Sequence, residues 1–187
     1  MPSVELNPAA YRAVFSSRGF YNILLGNVLG ATVWHGFFGG PIAYRILGRK
    51  PFSTLQEAIF PKLFLLQTGS AVVLASLYGR GSTALTKVEW TRFYRSSDRN
   101  VWALAIMAGS GLANWLVLGP WTTKVMKIRH RRERIEDKEY NDPKASPEMK
   151  QLNRRFAVLH SVASLLNLAF ISAAATHAAY LAAFPPA

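Results

Sequence analysis

The sequence predicts an all-α membrane protein: a four-transmembrane-helix bundle with a short N-terminal interfacial helix and a cytosolic helical extension of the third span. Three observations carry that expectation. Four apolar stretches, at about residues 20–46, 58–78, 101–121 and 156–184, each reach the roughly 20 residues needed to cross a bilayer. The last runs from Phe156 to Phe184 without one Asp, Glu, Lys or Arg, which a soluble helix could hardly surround with protein. The formal net charge of +12 is concentrated at the span ends, where basic side chains meet anionic lipid headgroups, so it implies membrane lipids as partners and not nucleic acid. A chain of 187 residues so organised makes one domain, residues 1–187.

The distribution of basic residues sets an orientation. Of the 22 Lys and Arg residues, fifteen fall in and beside the first and third connections and seven elsewhere. By the positive-inside rule those two connections face the cytosol and both termini face away from it. The expected location is an endomembrane or the plasma membrane, with a mitochondrial membrane as the second choice. There is no cysteine, so neither a disulfide nor a thiolate metal site is available.

Ahead of the first span, Asn7 and Pro8 have the chemistry of an N-cap and first helical position, and Tyr11, Val14 and Phe15 share a face that would rest on the membrane. The first span carries Gly26, Gly30, Gly36 and Gly40, small-xxx-small pairs expected to pack against another helix, internally or in a homo-oligomer. Gly39, Gly40 and Pro41 then predict a kink or helix end. Ser53 with Gln56 three residues later reads as a capping box that starts the second helix ahead of its apolar part. Pro61 would bend that helix, and Lys62 would snorkel to the headgroups. Arg80, Lys87, Arg92, Arg95 and Arg99, mixed with Glu89, Trp90, Phe93 and Tyr94, give the next connection an interfacial composition. Past the third span, Arg129 with Glu133 and Arg132 with Glu136 are four apart, as ion pairs on a solvated helix would be. Ser146 and Pro147 then predict a cap and first position for the fourth helix.

The segment from Ser53 to Phe64, the run Gly119, Pro120, Thr122, Thr123, Met126 and Arg129, and the set Phe156, His160, Ser161, Ser164, Asn167 and Leu168 together resemble the transmembrane-protein-205-like family. The resemblance spans roughly residues 26–175 and implies a small four-pass membrane protein, with no reaction or cofactor to carry over.

Chemistry at membrane depth is confined to a few side chains: His35, Gln67, Asn114, His160, Ser164, Asn167 and His177. Polar groups are costly in lipid, so these should face the bundle interior. His160, Ser164 and Asn167 fall three or four apart on one helix face, where Asn114 could meet them. Interhelical hydrogen bonds, worth about 0.6–2 kcal/mol each, are the simpler role. A proton relay, metal stop or polar ligand pocket built on His35 and His160 is the sharper one. The spans contain no Asp or Glu, and no phosphate-binding loop, nucleophile elbow or metal motif is present. The expectation is therefore a noncatalytic scaffold or accessory subunit, without catalytic residues, metal or cofactor. The alternative is a small transporter or a lipid- or solute-binding membrane protein.

Overall fold

In a computed structural model, residues 11–12, 14–79 and 90–183 are described. They form α1 (Ser17–Val33), a π-helical turn (Trp34–Gly39), α2 (Gly40–Leu47), α3 (Arg49–Gly79), a short 3-10 helix (Trp90–Arg95), α4 (Arg99–Ala113), a second π-helical turn (Asn114–Leu118), α5 (Gly119–Glu136) and α6 (Pro147–Ala183). No strand occurs among the described residues. The expected start at Asn7 and Pro8, the basic residues Arg80 and Lys87, and Phe184 lie outside them.

Three helical runs are long and apolar enough to cross a membrane: Arg49–Tyr78, Arg99–Glu136 and Pro147–Ala183. The first apolar stretch follows one helical path from Ser17 to Leu47, divided by its π turn. Asn22, Asn27 and His35 dilute its apolar character, and it is not among the three.

Both π turns end at a Gly-Pro pair, and the geometry explains why. A proline inside a helix lacks an N–H and its ring clashes with the carbonyl four residues back. Here the preceding glycine instead bonds five residues back, Gly40 N–H to His35 O and Gly119 N–H to Asn114 O, so the helix widens just before Pro41 and Pro120. The widened turn leaves no room for a side chain. A Cβ on Gly40 would lie 2.9 Å from His35 O, and one on Gly119 2.7 Å from Asn114 O. Pro61, without a glycine before it, sits inside the α-helix of α3 with no π turn.

Several local expectations are corrected. Ser53 does not cap the second helix: α3 begins at Arg49, where Gly48 takes a positive φ of 71° that glycine tolerates best. Ser53 Oγ instead donates back to Arg49 O at 2.8 Å, and Gln56 is free to bond elsewhere. Arg129 does not pair with Glu133, whose Oε1 accepts from Arg49 at 2.6 Å, whereas Arg132 and Glu136 do pair, also at 2.6 Å. A Cβ on Gly26, Gly30 or Gly36 would meet nothing within 4 Å, so no close approach inside the described chain depends on these three, and packing against a second copy stays open. A glycine that lets two helices touch is Gly111, where a Cβ would lie 2.9 Å from Thr68 Oγ1. It sits between α3 and α4.

The cap expected at Ser146 is present, and others occur that the sequence reading did not name. Ser146 Oγ accepts from Met149 N at 3.1 Å at the start of α6, and Asp98 Oδ1 accepts from Asn100 N at 2.8 Å at the start of α4. The helix ending at Glu136 stops at Asp137, which takes the left-handed conformation.

Packing divides the bundle lengthwise. α4 is the central helix, lying mainly against α3 and α6. The apolar core, with Tyr21, Val28, Leu74, Leu104, Met107 and Phe170 fully or almost fully buried, fills the half that contains the start of α1 and the end of α6. The other half, where α2, α3, α5 and α6 approach, is open.

Candidate functional site: a polar groove at membrane depth

Two stripes of side chains spaced by four residues face each other across that open half. Phe52, Gln56 and Phe60 come from α3, and Phe156, His160 and Ser164 from α6. A spacing of four keeps residues on one helix face. Three adjoining recesses, of about 140, 390 and 770 Å³, meet at Phe52 and His160. The largest also touches Thr32, His35, Gly36, Phe37 and Asn167. Gly36, Phe37, Ser164, Leu165 and Leu168 on its rim are exposed, so the groove opens sideways at membrane depth.

The predicted polar residues divide between the groove walls, with His35, His160, Ser164 and Asn167, and the buried packing behind them, with Gln67 and Asn114. Gln67 is fully buried and donates through Nε2 to Thr32 Oγ1 at 3.2 Å and to Asn167 Oδ1 at 3.0 Å, joining α1, α3 and α6. Asn114, also fully buried, donates to the backbone oxygen of Ala163 at 3.1 Å. His35 Nε2 lies 2.9 Å from Gln56 Oε1, and its ring meets Phe60 edge-on at 5.3 Å. His160 stacks on Phe156 at 5.7 Å and is exposed to the groove, as is Ser164. His35 and His160 line one recess without contacting each other in a hydrogen bond or ring pair. Gln67 Oε1, Thr68 Oγ1 and Asn114 Oδ1 are buried and find no partner among the described residues.

Of the run at the start of α5, Gly119, Thr122, Thr123 and Met126 line the smallest recess, Met126 and Arg129 line the middle one, and Pro120 is exposed on the outside. Thr122 Oγ1 is engaged by its own helix, donating to Leu118 O at 2.6 Å.

One end of the groove is charged. Arg49 Nη2 lies 2.6 Å from Glu133 and 2.8 Å from Glu139, and Lys50 reaches Glu139 at 3.3 Å. Hydrogen bonds from Arg49, then Lys50, hold the Glu139 carboxyl below the ordinary carboxylate range. Arg129 is buried between the rings of Tyr140 and Phe156, its guanidinium carbon 4.7 and 4.5 Å from their centroids. Its Nε and Glu133 Oε2 have no partner among the described residues. No cluster of three His, Asp or Glu side chains suited to a metal occurs among the described residues.

The opposite end holds a network that the sequence did not reveal. His177, fully buried, lies 2.5 Å through Nε2 from Tyr21 OH and 2.8 Å through Nδ1 from Asn100 Oδ1. Asn100 in turn donates to Asp98, which also accepts from Tyr78 OH at 2.6 Å. Four segments meet there, and the partners of His177 lie 156 and 77 residues away in the chain. Only the apolar flanks of Tyr21 and Tyr78 hinted that both rings would be buried.

Residues 23–131 match a domain of unknown function, DUF4149. The chain belongs to that family. Comparison with curated proteins and with solved structures yields no match. The DUF4149 region supplies His35, Gln56, Gln67, Asn114 and the Gly119–Arg129 run, whereas the opposite wall, with His160, Ser164 and Asn167, comes from α6 beyond it. It contains both π turns.

Proposed function

We propose that this DUF4149 member is a four-span membrane protein whose groove binds a small amphiphilic molecule, a lipid or a solute with both polar and apolar parts. The observation that supports this is the placement of His160 and Ser164, without a side-chain hydrogen bond among the described residues, on the wall of an open recess opposite the His35–Gln56 pair. Polar groups held only for packing would bond one another in a dry core. At about 770 Å³, the recess falls within the range of small-molecule sites, and it pairs aromatic walls with a few hydrogen-bonding groups. Such a protein binds or carries its ligand without a covalent step. Its path from Ser17 to Leu47 serves as the fourth span, and α5 runs on into the cytosol with both termini on the far side. The narrower kinship to the transmembrane-protein-205-like family rests on Gly119, Thr122, Thr123, Met126 and Arg129.

A noncatalytic scaffold or accessory subunit is the second reading, favoured by one observation: only 17% of the apolar window of α6 is buried within the chain. Native mass spectrometry of the protein from its own membrane separates the two. The expected result is a small-molecule companion that Ser164→Trp, which fills the groove, displaces while the thermal midpoint holds. A stoichiometric protein partner, no small molecule, and indifference to Ser164→Trp would overturn the ligand reading in favour of the scaffold.

A further inference from the structure

On the outer side of α5 and α6, away from the groove, lies a second recess of about 640 Å³ lined by both apolar and cationic side chains. Trp121, Ile128 and Val158 make it apolar, and Lys124, Arg154 and Arg155 supply its polar side. No carboxylate lines it. The position is as telling as the composition. Trp121 closes the apolar part of the third membrane run, and the uncharged stretch of the fourth begins just after Arg155, at Phe156. The recess therefore straddles the level at which hydrocarbon gives way to headgroups, with an interfacial tryptophan beside it.

Several neighbouring cations are occupied in other ways, and Arg131, Arg134 and Lys150, which have no ion pair among the described residues, do not line the recess. Lys127 pairs with Glu57 at 2.5 Å, Arg132 pairs with Glu136 and Glu148, and Arg49 with Glu133 and Glu139. Lys124, Arg154 and Arg155 pair with no carboxylate among the described residues. We infer that this recess is a binding site for one anionic phospholipid, its phosphate held by Lys124, Arg154 and Arg155 and its acyl chain laid on Val158 and Leu159. A lipid suits both parts of the site at once. Basic pockets between membrane helices hold such headgroups because three cations focus on one anion and the acyl chain never leaves the hydrocarbon.

The test uses the whole chain in nanodiscs of phosphatidylcholine with and without phosphatidylserine, read by native mass spectrometry and thermal shift. Wild type should retain phosphatidylserine and be stabilised by it. Lys124→Gln/Arg154→Gln/Arg155→Gln should weaken that preference roughly 100-fold, as three interfacial cations imply. Arg131→Gln/Arg134→Gln/Lys150→Gln removes the same charge nearby and should leave it intact. Val158→Trp keeps every charge, closes the apolar floor, and should also reduce retention. Equal losses in the two triple variants would reduce the site to a diffuse surface field and overturn the inference. So would full retention by Val158→Trp, or protection by inorganic phosphate equal to that by the lipid. Ser164→Trp in the groove should not change phosphatidylserine retention, which keeps this site separate from the ligand reading above.

Discussion

The two ends of this bundle treat buried polar groups in opposite ways. Around His177, each of the side chains Tyr21, Tyr78, Asp98 and Asn100 has a partner, and four segments are tied together. Around the groove, Gln67, Thr68, Asn114, Arg129, Glu133 and Asn153 each keep one buried atom without a partner among the described residues. An unpaired buried polar atom costs about 1–3 kcal/mol, so one end is built for rigidity and the other holds unused bonding capacity. Of the six, Arg129 and Asn153 line the middle recess of the groove, and the others lie buried behind it. The comparison teaches that a polar residue inside a membrane protein is informative only once its partners are known.

The largest expected effect lies at the closed end. His177→Ala removes two hydrogen bonds and leaves a cavity, and should lower stability by about 2–4 kcal/mol, seen as a fall in the thermal midpoint in detergent. A midpoint within a degree of wild type would erase the distinction between the ends. Next comes Gly111→Val, whose added atoms would press on Thr68 and should cost about 1–3 kcal/mol, while Gly30→Val on the open face should stay within about 0.5 kcal/mol. The reverse order would mean that the first-span glycines pack after all, against another molecule.

In the groove, His160→Ala and Ser164→Ala should shift stability by less than about 0.5 kcal/mol, because neither side chain is tied into a hydrogen-bonded network. Both should release a bound companion on the order of tenfold more readily. Large destabilisation without loss of a ligand would make these residues structural. The smallest effect is a pH response at the charged end. The Glu139 carboxyl has a depressed value when folded, so its contribution is complete above the ordinary glutamate pKa of about 4.3 and is lost as the pH falls through the depressed value. Amide exchange at Tyr140, corrected for intrinsic rates, should rise over that acid window in wild type and stay flat in Glu139→Gln.

Much of the fold was legible in the sequence, because apolar length and uncharged runs act locally. α3, α4 and α6 follow from them, as do the caps at Ser146 and the pairing of Arg132 with Glu136. Asn114 meets α6 as its position suggested, though at a backbone oxygen of Ala163 and not at the polar stripe. What failed were choices among equivalent local options. Ser53 and Gln56 satisfy a capping pattern, but Gly48 breaks the chain earlier and Gln56 is drawn to His35. Small-xxx-small spacing marked four glycines in the first span for packing internally or in an oligomer, and within the described chain a close approach falls instead at Gly111, whose importance depends on where Thr68 arrives from another helix. The His177 network was hidden for the same reason. The Phe52, Gln56, Phe60 and Phe156, His160, Ser164 stripes could have been found, since two four-spaced rows of aromatic and polar residues are visible before any folding.

The paired π turns also bear on how this chain can change in length. A π turn holds one residue more than the α-helical turn it replaces, and the segments on either side keep their facing. Removing one residue from 34–39 or 114–118 would restore a regular turn there. Anywhere else in these helices the same deletion would rotate everything downstream by about 100°. The helices leading to the α2 and α5 walls could then lose one residue at these two points and still present Tyr44, Thr123 and Met126 to the groove.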